Sequence, residues 1–159
     1  MATEKLKFKL ELYATMWYKP PVADIKINGK SYFKKEITST NDKPTIIEFE
    51  HEFQEGQSYS LIIDRSGKDT QQTVVEDGKI VKDQLLNIKY IEIDDIDIAN
   101  LVYEGVYKPE YPERWATQQR EAGNKLPATL KNATEMGHNG TWTLTFTSPF
   151  YMWLLENLY

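Results

Sequence analysis

Carboxylates are the commonest reactive groups in this chain, 24 Asp and Glu against 19 Lys and Arg. Two of them at the right separation could cleave a glycosidic bond, one protonating the leaving oxygen and the other acting as base or nucleophile. Nothing in their spacing singles out such a pair. Most stand at the wet positions of alternating runs or in turns, where solvation accounts for them. The two histidines, His51 and His138, have no HxH, HExxH or cysteine company and read as surface or turn residues. No G-x-S-x-G elbow, P-loop or G-x-G-x-x-G is present, so the common nucleophile and phosphate cradles are missing and catalysis is not expected. Asn132-Ala133-Thr134 and Asn139-Gly140-Thr141 match the glycosylation sequon but stand without a secretory signal.

Binding chemistry has better candidates. Asp64, Asp69, Asp77 and Asp83 lie in or beside expected loops, and loop carboxylates with carbonyl oxygens suit a hard cation such as calcium, although EF-hand spacing is missing. The alternative is that they keep loops wet and discourage edge-to-edge aggregation. Trp17 and Tyr18 beside Pro20 and Pro21, and Tyr107, Tyr111 and Trp115 around Pro109 and Pro112, fall in irregular segments. Rings there could stack on a sugar or enter a partner's pocket, or else cap the ends of the core. Trp142, inside a clean alternation, is expected in the core. The carboxyl end is too apolar to lie free in water, so Phe150, Tyr151, Trp153, Leu154, Leu158 and Tyr159 are expected to dock on their own domain or on another chain.

The elements that would position these groups are mostly strands. Leu6, Phe8, Leu10 and Leu12 alternate with Lys7, Lys9 and Glu11, the period of a strand wet on one face. Asn28-Gly29 between residues 23–27 and 30–33 marks a tight type I′ hairpin, and Asp77-Gly78 marks another turn between 71–75 and 80–81. Residues 45–50 and 59–63 alternate on either side of Glu55-Gly56. Residues 85–93 form a long, nearly continuous apolar strand, expected to be central and bulged where the alternation slips. Residues 96–103 are expected to continue in extended form. A short helix is expected over 113–122 and a second over 127–135, before a final strand around Trp142, Leu144 and Phe146.

This pattern predicts an all-β, antiparallel β-sandwich, jelly-roll or immunoglobulin-like, with one or two short helices before the last strand. Pairing of the first and last strands would close it. Residues 1–159 are expected to make one domain, with 1–103 as the sandwich, 104–138 as a partly helical excursion and 139–159 as the final strand and aromatic tail. Without cysteine, packing and strand pairing must supply all the stability. A net charge of −5 with mixed signs offers no basic stripe for nucleic acid. No run approaches the roughly 20 apolar residues of a membrane span. The amino terminus shows no signal-peptide core, which places synthesis in a cytosol.

Two resemblances add to this reading. Ile25-Lys26-Ile27-Asn28-Gly29, Ser60-Leu61-Ile62-Ile63-Asp64 and Asp83-Gln84-Leu85 through Asp94 resemble the calcium-dependent xylan-binding-type carbohydrate-binding modules over the first two thirds of the chain. Carried across, that family's calcium acids fall on Asp64 and Asp83. Ile63 stands where those modules usually have Asn, and Gln84 where they usually have Arg, which leaves retention of the calcium site open. The segments 100–107, 111–116 and 139–159 resemble uncharacterised virion proteins of marine tailed phages, including those with cyanobacterial hosts. That resemblance implies a structural role in the virion, as head decoration, tail or fibre, in a particle made in the host cytoplasm. Other virion proteins, copies of the same chain and a host surface glycan would be the partners; a free-standing calcium-dependent carbohydrate-binding module is the alternative.

Overall fold

The protein is described by a computed structural model that covers residues 2–69 and 73–158, with the backbone alone at Leu158. Alternation in the sequence becomes an antiparallel sandwich of two sheets. The first strand, β1 (Thr3–Thr15), turns Leu6, Phe8, Leu10 and Leu12 inward, each at most 1% exposed, and Lys5, Lys7, Lys9 and Glu11 outward. It pairs on one side with β4 (Thr45–Gln54) and on the other with β8 (Leu85–Ile93). The expected slip in β8 is present. Glu11 faces Tyr90 while Leu12 faces Ile88, so Lys89 is bulged outward and apolar residues stay inside on both sides of it.

The facing sheet contains β2 (Val22–Ile27), β3 (Lys30–Glu36), β5 (Ser58–Ser66), β10 (Val106–Pro109), β11 (Leu130–Lys131) and β13 (Gly140–Thr147). Asn28 and Gly29 both have positive φ, 48° and 98°, as a type I′ turn between β2 and β3 requires. Asp77 and Gly78 do the same between β6 (Val74–Glu76) and β7 (Lys79–Lys82), a two-stranded hairpin outside both sheets. Gln71 and Gln72, assigned to the first arm of that hairpin, lie outside the described residues.

Rings join the two sheets. Phe146 of β13 lies 6.3 Å from Phe8 and 5.5 Å from Phe53 of the opposite sheet, and Trp142 is fully buried as expected. A further close approach involves Gly105, where an added Cβ would come within 2.3 Å of the Trp142 indole.

Three expectations are corrected. β1 and β13 do not pair; each lies inside its own sheet and they face across the core, which buries the two most regular apolar stripes against each other. Residues 96–103 are not continuously extended: after the short β9 (Ile96–Asp97), Ala99–Glu104 forms a 3-10 helix, and the Asp97 carboxylate accepts the Ala99 N–H at 2.7 Å where the chain turns into it. Ile98 and Leu101, three apart, both point inward, a period that suits 3-10 geometry better than a strand. Residues 127–135 form no helix. They supply β11 to one sheet and β12 (Glu135–Met136) to the other, because two open sheet edges offer backbone partners there. The helix expected over 113–122 is α1 (Trp115–Glu121).

The apolar tail becomes α2 (Phe150–Leu158), docked on its own fold. Phe150, Trp153 and Leu154 are buried, with Phe150 and Trp153 about 6 Å from the Phe146 ring. Glu4 accepts the Phe150 N–H at 2.8 Å, placing a negative charge at the start of the helix. Tyr151, Met152 and Leu155 face outward and exposed. Tyr159 and the Leu158 side chain lie outside the described residues.

Candidate functional site

Antiparallel pairing sends the connection after β1 and the one before β8 to the same end of the sandwich. The segments after β5 and β10 and before β13 emerge there too. Lys19, Gly67, Lys68, Thr73, Gln84 and Asn139, from three separate connections, therefore meet.

Arg65 is the organising side chain. It is the inward residue next to the end of β5, 2% exposed, and its guanidinium donates to Gln84 O at 2.7 Å, Asn139 Oδ1 at 2.9 Å and Met136 O at 3.3 Å. These are neutral acceptors, and burial lowers its pKa to about 10 while leaving it charged near neutrality. Asn139 also clamps the backbone of Lys68, accepting its N–H at 3.0 Å and donating to its carbonyl at 2.9 Å.

So held, Lys68 sends its Nζ to Asp83 Oδ1 at 3.1 Å and Gly137 O at 2.5 Å. Asp83 Oδ1 accepts further bonds from Thr73 Oγ1 at 2.7 Å and the Gln84 N–H at 2.8 Å. Burial alone would raise the Asp83 pKa, but these donors and the lysine charge outweigh it and hold the pKa below the ordinary value. Gln84 Nε2 ties Lys19 O and Gly67 O together at 2.8 and 3.2 Å.

Beside this polar knot sits an aromatic cluster. The His138 ring lies 5.2 Å from both Tyr111 and Trp115, and those two rings are 6.2 Å apart and inclined by 30°. Trp115 keeps 38% of its surface exposed. Burial, with the nearby Lys68 charge, pushes the His138 pKa down, so the imidazole is neutral near pH 7. Tyr107, expected as a contact residue, is corrected: it is 1% exposed, and its hydroxyl bonds both the carbonyl and, at 3.0 Å, the N–H of His138. It holds the platform from behind. Trp17 and Tyr18 are exposed, with the Lys82 ammonium 3.3 Å from the Trp17 ring centre.

Asp64, expected in or beside a loop, lies within β5 two residues before its end. It sits on the outer face of β5, paired with Lys26 at 2.8 Å and accepting from Thr141 at 2.7 Å. Its partners and those of Asp83 have no member in common, each carboxylate is matched to a lysine, and among the described residues no group of three or more His, Asp or Glu could hold a metal. This donor set does not fit a shared calcium. Sequence reasoning missed Arg65, Lys68, Asn139 and His138; the only signal was Asn139-Gly140-Thr141, read as a sequon.

A concavity lies away from this end, on the outer face of the β1 sheet, lined by residues that include Lys7, Lys9, Glu48, Glu50 and Glu92. It is charged and lacks an exposed ring.

No protein-family model matches the chain, and no curated protein does. Solved structures similar to it include vCBM60 in complex with galactobiose, at a TM-score of 0.50 and 7% identity, covering 87% of this chain and 96% of that one. A further vCBM60 structure, described with circular permutation as an evolutionary link between two families of calcium-dependent carbohydrate binding modules, has the same score and identity and is covered over 89% of its length. The chain thus shares an antiparallel sandwich fold with these modules.

Proposed function

We propose that the protein is a non-catalytic carbohydrate-binding module whose ligand lies against Trp115, Tyr111 and His138 at the loop end of the sandwich. The observation that carries this reading is the half-exposed ring cluster beside the fixed Lys68–Asp83 pair. A flat apolar surface next to oriented donors and acceptors is what a sugar face and its hydroxyls require. The shared fold with vCBM60 supports the same reading. Glycan-array binding by the wild-type protein, lost in Trp115→Ala, is the expected result. Failure of the wild-type protein to retain any glycan would remove the proposal.

A second reading has its own observation, the outward Tyr151, Met152 and Leu155 of α2, all more than 40% exposed on a helix whose other face is anchored. Such a stripe suits assembly with copies of the chain or with other virion proteins. The two readings are compatible, since a protein at a virion surface can bind a host glycan. Mass spectrometry of purified particles tests it, and absence of the chain from intact virions would end it.

A further inference from the structure

The similar modules are described as calcium-dependent, whereas among the described residues here the acidic side chains do not gather into a calcium site. We propose that the Lys68 ammonium stands in place of a divalent cation, so that the loop end is ordered, and engages its ligand, without calcium. The clause on ligand rests on the carbohydrate-binding reading; the clause on order does not.

Three features of the geometry support it. First, a carboxylate oxygen and a backbone carbonyl, the donor types that hard cations use, converge on Lys68 Nζ at 3.1 and 2.5 Å. The Lys68 side chain is only 12% exposed and its backbone is clamped on both sides by Asn139, so the ammonium is delivered as a fixed charge. Second, one oxygen of Asp83 is fully engaged: Oδ1 already accepts from Lys68, Thr73 and the Gln84 N–H. Calcium takes about six to eight oxygens. The other acid the family pattern points to, Asp64, is bound to Lys26 and Thr141. Third, Arg65 adds a buried positive charge that bonds the Gln84 carbonyl and the same Asn139 oxygen. With Asp83 as the carboxylate of this knot, Arg65 and Lys68 leave it net positive, and a divalent ion would enter against that charge.

The same residues account for one departure in the sequence, that at Gln84. Where the family has Arg after the second acid, Gln84 instead uses its side chain to tie two backbone carbonyls, while a guanidinium arrives from Arg65 on β5. A cation is kept in the loop end, carried by the chain itself.

The test is calorimetric titration of calcium chloride alone into chelator-treated wild-type protein, with thermal unfolding in calcium and in chelator. No heat of binding and an unchanged midpoint are expected; stoichiometric calcium binding or a raised midpoint would overturn the proposal. Lys68→Ala should unfold at a lower temperature and recover part of that loss in added methylammonium, which supplies the missing cation. A folded variant that does not respond would overturn the surrogate role; if the variant does not fold, the wild-type titration still decides. Wild-type glycan retention that persists in chelator is expected, and its loss there would count against the idea. Failure to retain any glycan would remove the carbohydrate reading while leaving the calcium titration decisive here.

Discussion

Single side chains at the loop end divide into those that would touch a ligand and those that hold them. Trp115 belongs to the first group: it is half-exposed at the start of α1 and packs on His138. Trp115→Ala should weaken glycan binding by roughly 10-fold or more, the usual scale for losing an aromatic anchor, with little change in unfolding midpoint. Affinity electrophoresis with a parallel melt measures both. Asp83 belongs to the second group. Its pKa is depressed in the folded state, so its stabilisation is complete above the unfolded value of about 4 and disappears as pH falls through the folded value. The midpoint difference between wild type and Asp83→Asn should therefore be present at neutral pH and vanish in strong acid. A difference that persists unchanged at low pH would contradict the assignment of the charged carboxylate.

Elements carry predictions of a different kind, because their placement depends on close packing. Gly105 follows the 3-10 helix and lies against Trp142, so Gly105→Ala must displace either the indole or β10. A loss of about 3 kcal/mol is expected in denaturant unfolding, at the upper end of the usual cost of overpacking. On α2 the inner face supports the core and the outer face does not. Trp153→Ala should cost about 3 kcal/mol or more, whereas Met152→Ser and Leu155→Ser should leave the melt nearly unchanged. If the outer stripe serves self-assembly, the same two serine substitutions should shift sedimentation toward monomer.

At the scale of the whole molecule, the sandwich separates the two proposed surfaces in space. The loop end gathers the rings and the Lys68–Asp83 knot, while Ser148, the cis peptide to Pro149 and α2 lie at the opposite end, where Glu4 and Gly56 bond Ser148 and Phe150. Substitutions at one end should therefore act additively with those at the other. Trp115→Ala combined with Leu155→Ser should lose glycan binding and self-association independently, as read by a glycan array and by sedimentation.

Much of this was legible from residue order. Period-two alternation established β1, β4, β5 and β13, and Asn28-Gly29 and Asp77-Gly78 established the two tight turns, because these signals are local and need only the next few residues. The aromatics of 16–18 and 107–115 stand outside regular strands as the sequence suggests, except that Tyr107 lies within β10 and is buried. Tertiary structure alone decided the rest. Residues 127–135 became strands because two sheet edges far away in sequence offered hydrogen-bond partners, and β1 and β13 met across the core instead of side by side. Arg65, Lys68, Asp83 and Asn139 come together across up to 74 residues of chain, and no local pattern records such an encounter. Alternation states which face of a strand is dry; only the packing of two sheets determines which loops then share an end.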